Sequence, residues 1–187
     1  MTEALSWPRH PITLEEWDAL PEDETLRLEL VEGMLMMSPQ PFSWHQHATT
    51  GLTSRLNDLL PADLIALREV EVVLAGTPPT VRVPDVAVTS TTVFEGNPAR
   101  YTAADVQLAV EVLSDGTRRV DRVMKFSEYA DAGIPRYGIV DLDEPTTLTA
   151  YVLVDGDYEL AAEATGTVDL DVAGHPVALD LAALTRR

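Results

Sequence analysis

Arg82-Val83-Pro84-Asp85-Val86-Ala87-Val88 decides how this chain is read, because a β-branched apolar run carries a single carboxylate next to a proline. Such a run, bounded by turn signals, reads as a strand, predicted here over 81–88. Alternation places Val81, Val83, Asp85 and Ala87 on one face. A second run, Leu108-Ala109-Val110-Glu111-Val112-Leu113, predicts a strand over about 106–113 with Ala109, Glu111 and Leu113 on one face. It is apolar on both faces, as in an internal strand. If the two strands are neighbours, Asp85 and Glu111 converge.

A third charged group completes the set. The chain has one lysine, Lys125, against twelve arginines. Arginine is a broad fork that stays charged; lysine is a compact point charge that fits beside a phosphoryl oxygen or a water. Asp85, Glu111 and Lys125 form an Asp, Glu, Lys series that reads as a metal-dependent phosphodiesterase site. Hard oxygen donors suit Mg²⁺ or Mn²⁺, whereas zinc favours His or Cys. The plainer reading has Asp85 capping a turn after Pro84 and Glu111 on a solvated sheet face.

Toward the N-terminus, Thr13-Leu14-Glu15-Glu16 has capping-box spacing, which predicts a helix over 14–20. Residues 26–37 read as a hairpin turning at Glu32-Gly33, and 12–37 form a lead-in to a core of about 45–141. That core opens with a helix over 45–60 carrying Ala48, Leu52, Leu56 and Leu59 on one face. Strands come next at about 67–74, 81–88 and 106–113, the first two joined by Gly76-Thr77-Pro78-Pro79. A helix then runs to Ala132, with Gly133 just past its end and Pro135 barring continuation. Tyr137–Asp141 is a further strand. A hairpin about Asp155-Gly156 begins a C-terminal β extension over 148–181.

The fold class is therefore α/β: a helix, three strands, a helix and a strand around a central mixed sheet, with added N- and C-terminal hairpins. At 187 residues and 45% apolar, one domain over 1–187 is expected. Without cysteine there is no thiolate ligand or nucleophile. No apolar run approaches the ~20 residues of a membrane span, and Glu3, Pro8 and Arg9 interrupt any secretory leader. A cytoplasmic protein with no membrane partner is expected, and the lysine-poor, Arg- and Ala-rich composition fits a bacterial source. The formal charge of −18 opposes a general nucleic-acid surface. Arg118, Arg119, Arg122 and Lys125 offset it locally, with 118, 122 and 125 on one helix face.

Taken in order, these features resemble the PD-(D/E)XK nuclease superfamily, and within it the bacterial Uma-two family of restriction-endonuclease-like proteins. The matching stretches are Leu28-Glu29-Leu30-Val31-Glu32-Gly33, Ser38-Pro39 leading to His45-Gln46, Arg82 to Val88, and Val110-Glu111-Val112-Leu113-Ser114. Arg118, Asp121, Lys125, Tyr129-Ala130, Gly133-Ile134-Pro135 and Tyr137-Gly138-Ile139-Val140-Asp141 match as well. The resemblance spans roughly residues 12–180. It implies an endonuclease in which Asp85 and Glu111 bind Mg²⁺ or Mn²⁺, the Val112 carbonyl adds a ligand, and Lys125 orients or activates the attacking water. The superfamily lysine usually comes two residues after the Glu, where this chain has Leu113; Lys125 on the next helix takes its place.

Four further residues are candidate supports. Glu29 and Glu32 match family carboxylates ahead of the core, and the resemblance implies that one of them is a distal metal ligand; His45 has a role near the site or is a satisfied, partly buried histidine. Asp121, four residues before Lys125, holds the lysine in position or forms an ordinary surface ion pair. Met34, Met36 and Met37 are expected to pack in the core or sheet. The partner expected is nucleic acid, DNA first, contacted by Arg118, Arg119 and Arg122, with a homodimer expected of a small enzyme that cuts both strands. Two other functions stay open: a catalytically weak nuclease-fold protein acting through protein partners, which the acidic surface favours, and a hydrolase of small phosphoesters.

Overall fold

The computed structural model describes residues 7–21, 25–114 and 120–185. Helix α1 (Leu14–Asp18) starts on the expected capping box: Glu16 N–H donates to Thr13 Oγ1 at 3.2 Å, and Thr13 N–H donates to Glu16 Oε2 at 2.9 Å. Both amides would otherwise lack a partner. Strands β1 (Leu26–Val31) and β2 (Met34–Pro39) form the lead-in hairpin, with Glu32 and Gly33 at φ 49° and 80° in its turn. Helix α2 (Ser43–Leu59) buries Ala48, Leu52 and Leu56, while Leu59 is exposed.

Two predicted strands each divide. The one over 67–74 becomes β3 (Leu64–Arg68) and β4 (Val72–Gly76), separated by Glu69 at φ 50°. The one over 81–88 becomes β5 (Pro79–Arg82) and β6 (Val86–Ser90). The cause of the second break is chemical: Pro84 has no N–H to give a ladder. Asp85 therefore lies in the crossing between two strands and not within one, which corrects the alternation assigned to it.

The remaining elements are α3 (Thr91–Glu95), β7 (Tyr101–Thr102), β8 (Val106–Val112), a π-helical stretch Val120–Lys125 and α4 (Phe126–Asp131). They continue with β9 (Arg136–Asp141), β10 (Thr147–Val154), β11 (Asp157–Thr165), β12 (Thr167–Val172), β13 (His175–Asp180) and α5 (Ala182–Thr185). The expected helix ending at Ala132 is thus wound as a π-helix in its first described part. Gly133 comes after it in the left-handed conformation at φ 81°, as the sequence predicts.

Six strands form a mixed sheet in the order β11-β10-β9-β8-β6-β3, in which only β8 and β9 run parallel. Gly138 lets those two close on each other: a Cβ there would meet Val110 Cγ2 at 3.3 Å. One face of this sheet packs Val86, Val110 and Val112 against α2 and the β12–β13 hairpin. The other packs Ala87, Ala109 and Leu113 with Tyr129 and Ala130 of α4. These are the central mixed sheet and flanking helices that the sequence predicts. The lead-in hairpin belongs to a second sheet of order β2-β1-β5-β4-β7, so the chain leaves one sheet at Arg82 and enters the other at Val86.

Met34, Met36 and Met37 lie in the sheet, on β2, one of the two expected places, but outside the core: they are 43, 48 and 49% exposed. The reason is topological: β2 is an edge strand, so only part of its surface meets a neighbour.

Candidate functional site

At the crossing from β5 to β6, Asp85 is buried, 1% exposed, and both of its oxygens are engaged. Arg27 Nη1 donates to Oδ1 at 2.7 Å; the Val112 N–H donates to Oδ2 at 2.7 Å, and His45 Nε2 lies 3.0 Å from the same oxygen. Burial alone would raise this carboxyl, but the His45 hydrogen bond and the Arg27 charge hold it well below the usual carboxylate range. Val112 thus meets Asp85 through its N–H, where the resemblance implied a role for its carbonyl.

Glu111 sits on β8, on the face alternation assigns to it, and is also 1% exposed. Tyr129 Oη donates to its Oε1 at 2.8 Å, and Lys125 Nζ stands 3.0 Å from the same atom. Its pKa is pushed up to about 8, first by burial and then, against relief from Lys125, by the charges of Asp85 and Asp121.

Lys125 projects from the end of the π-helical stretch and is 4% exposed. Its ammonium stands 3.0 Å from Glu111, 3.3 Å from Glu29 and 3.4 Å from Asp121. Burial would lower its pKa, but these three carboxylates raise it, so the group stays an ammonium. Tyr137 Oη donates to the Asp121 carbonyl at 2.9 Å and so ties the π-helical backbone to β9. Asp121 itself is 1% exposed, so its pairing with Lys125 is buried and is not an ordinary surface ion pair.

Glu29, on β1, links this cluster to a second one. It receives Arg82 Nη1 at 2.8 Å and the Val83 N–H at 3.0 Å, and Arg82 also grips Glu128 through Nε and Nη2 at 2.6 and 2.8 Å. His45 is a satisfied, buried histidine: it is bonded to Asp85 and lines the cleft that reaches the cluster. Glu32 is not brought in, since it is exposed at the hairpin turn. Arg122 is exposed, with its guanidinium 3.2 Å from Asp141. It does not share a face with buried Lys125, because the wider π-helical turn changes which residues align. Arg118 and Arg119 lie outside the described residues.

Arg27, Arg82, Glu128 and Tyr129 are site residues that sequence reasoning missed. Arg82 and Tyr129 stood in the matching stretches without a role. Arg27 had one usable signal: it shares a strand face with Glu29 two residues on.

The cleft, of about 310 Å³, is lined by Asp85, Glu111, Asp121, Lys125, Arg27 and His45 and rimmed by Ser38, Pro39, Gln40, Pro41, Phe42 and Ser114. Among the described residues no three His, Asp or Glu side chains are arranged as a ready metal cage. Asp85 and Glu111 are nonetheless hard oxygen donors, the kind that Mg²⁺ or Mn²⁺ takes, and both line the cleft.

A mixed sheet with a helix on each face, its charged cluster where two strands diverge, defines a protein of the restriction-endonuclease-like fold. The chain belongs to the Uma2 family, described as "Putative restriction endonuclease", whose model matches residues 14–183. A crystal structure of "a putative nuclease belonging to DUF820" from Anabaena variabilis ATCC 29413 is similar over 94% of this chain and 98% of that one, with a TM-score of 0.73 and 22% identity. No curated protein matches the chain.

Proposed function

We propose that this protein is a Mg²⁺- or Mn²⁺-dependent endonuclease that hydrolyses phosphodiester bonds of DNA. The observation that carries the reading is the convergence of Asp85, Glu111 and Lys125, from three separate elements, at one cleft. Family membership supports it. Asp85 and Glu111 would hold the ion, which when bound supplies a water of lowered pKa and offsets charge on the phosphate.

The chain's own groups do the rest. Lys125 acts as a fixed positive charge beside the scissile phosphate and its water, since its raised pKa suits it poorly to take a proton. Glu29 and Asp121 hold that ammonium in place. Tyr129 orients Glu111, and the Val112 N–H and His45 orient Asp85.

The test is cleavage of plasmid and single-stranded DNA by purified protein across a titration of Mg²⁺ and Mn²⁺. Cleavage that needs the metal and disappears in Asp85→Asn and Glu111→Gln is expected. No cleavage of either substrate at any metal concentration would replace this reading with that of a nuclease-fold binding protein.

A further inference from the structure

Four strands form the outer edges of the two larger sheets, and three of them are shielded. β7 is two residues long, and β11 carries exposed Asp157, Glu159 and Glu163. On β3, Asn57 of α2 accepts the Ala66 N–H on Oδ1 at 2.8 Å and donates Nδ2 to the Ala66 carbonyl at 3.0 Å. The small β12–β13 sheet carries exposed Asp169, Asp171 and Asp180. Short length, charge and side-chain cover are the means by which a sheet edge is kept from pairing with another chain.

The fourth edge, β2, has none of them. Met34-Leu35-Met36-Met37-Ser38-Pro39 holds no charged residue in a chain that carries −18. Alternation puts Met34 and Met36 on one face and Met37 on the other, so both faces of the strand are apolar and open. The backbone is equally informative. Glu32 N–H points across to β5, where it donates to Thr80 Oγ1 at 3.1 Å, and this sets the phase of β1: the amides of Leu28 and Leu30 face β5, and those of Arg27, Glu29 and Val31 face β2. In the register of the hairpin, Leu35 and Met37 therefore turn their N–H and C=O groups outward, where they have no partner among the described residues.

Outward amides in this spacing are satisfied by an extended strand. The charge pattern selects a copy of the same strand, since β2 meets itself without opposing like charges and offers no counter-charge to a basic or acidic peptide. With a two-fold axis at Met36, Leu35 of each copy faces Met37 of the other, and the outward groups of both residues are all used.

We infer that β2 is a homodimer interface, pairing antiparallel with β2 of a second copy and joining the two five-stranded sheets into one. Ser38 and Pro39, at the end of this strand, rim the cleft, so the pairing sets a second copy beside each cleft and holds the two clefts in one fixed relation. The inference does not rest on the nuclease reading and is measured without cleavage.

The experiment is sedimentation velocity on the full chain from about 1 to about 100 μM. A dimer is expected. Met37→Pro removes one outward N–H from each copy and spares the ladder to β1, so the dissociation constant should rise about tenfold or more. Met36→Lys and Met36→Glu each set like charges against each other on the axis and should give monomers. Both should keep the fold, checked by circular dichroism, because Met36 is exposed. An equal mixture of the Met36→Lys and Met36→Glu chains should recover the dimer, since unlike charges then meet across the axis. A wild type that is monomeric at every concentration overturns the inference and leaves the edge to a strand of another protein. A dimer indifferent to all three substitutions overturns it too, by placing the contact elsewhere. A mixture that stays monomeric overturns the pairing about Met36.

Discussion

Arg27 and Asp85, 58 positions apart in sequence, meet at 2.7 Å across the seam between the two sheets. The same guanidinium also donates to the Val83 carbonyl. A cation bound to Asp85 must therefore share that carboxylate with Arg27 or displace it.

Arg27→Gln is expected to cost roughly 3 kcal/mol in metal-free buffer, because it leaves a buried carboxylate short of its charged partner. It should also enlarge the rise in melting temperature produced by Mn²⁺, since a ligand bound only by the folded state stabilises it by mass action. Thermal melts with and without Mn²⁺ measure both. An Mn²⁺ response equal to wild type would show that Arg27 and the ion do not compete.

Lys125 is buried among three carboxylates, so its replacement should be felt in stability as well as in rate. Lys125→Met removes the shared cation and is expected to destabilise by about 3 kcal/mol or more. Lys125→Arg keeps the charge but overfills a closed site, at a cost of about 1–3 kcal/mol. Single-turnover cleavage should fall by about 10²-fold or more in both, the scale of losing a positioned charge-stabilising group. Near wild-type rates in a folded Lys125→Arg would mean that the reaction does not use this ammonium.

The Glu111 pKa, raised from 4.5 to about 8, fixes the sign of a pH effect. Between those values the folded state keeps a proton that the unfolded state has lost, so stability falls as pH rises through the window. Glu111→Gln cannot ionise and should lack this component. Denaturant melts at pH 5 and pH 8 should show the variant gaining on wild type at the higher pH; a constant difference would place the Glu111 pKa near its ordinary value.

Tyr129→Phe deletes the hydroxyl that donates to Glu111 Oε1. The loss should be about 1 kcal/mol while Glu111 is protonated and about 2–3 kcal/mol once it is ionised, since bonds to charged groups are stronger. Urea melts on either side of pH 8 test this, and a pH-independent cost would show that the hydroxyl serves packing alone.

How much the sequence disclosed depends on how local each cause is. The Thr13–Glu16 cap, the Gly133 terminus and the face of Glu111 depend on neighbours within a few residues, and all three stand where the pattern puts them. The convergence of Asp85 with Glu111 was legible too, although by a different route: Asp85 reaches the Val112 N–H from a crossing, where strand alternation has no meaning. Arg27 was hidden because its partner lies in another sheet. The π-helical winding was hidden as well, since helical periodicity in sequence assumes the ordinary turn. Family resemblance marked Arg82 and Tyr129 as part of the pattern, but only coordinates show them gripping Glu29, Glu128 and Glu111.

Because Arg27 and Glu29 come from one sheet, Glu111 from the other, and Lys125 from the segment after them, no contiguous fragment carries the whole cluster short of residues 27–125. On the proposed reading, a chain still leaving the ribosome would be chemically silent until both sheets have formed and docked. Assembly itself would then act as the safety catch, since the groups proposed to attack a phosphodiester come together only in the folded chain.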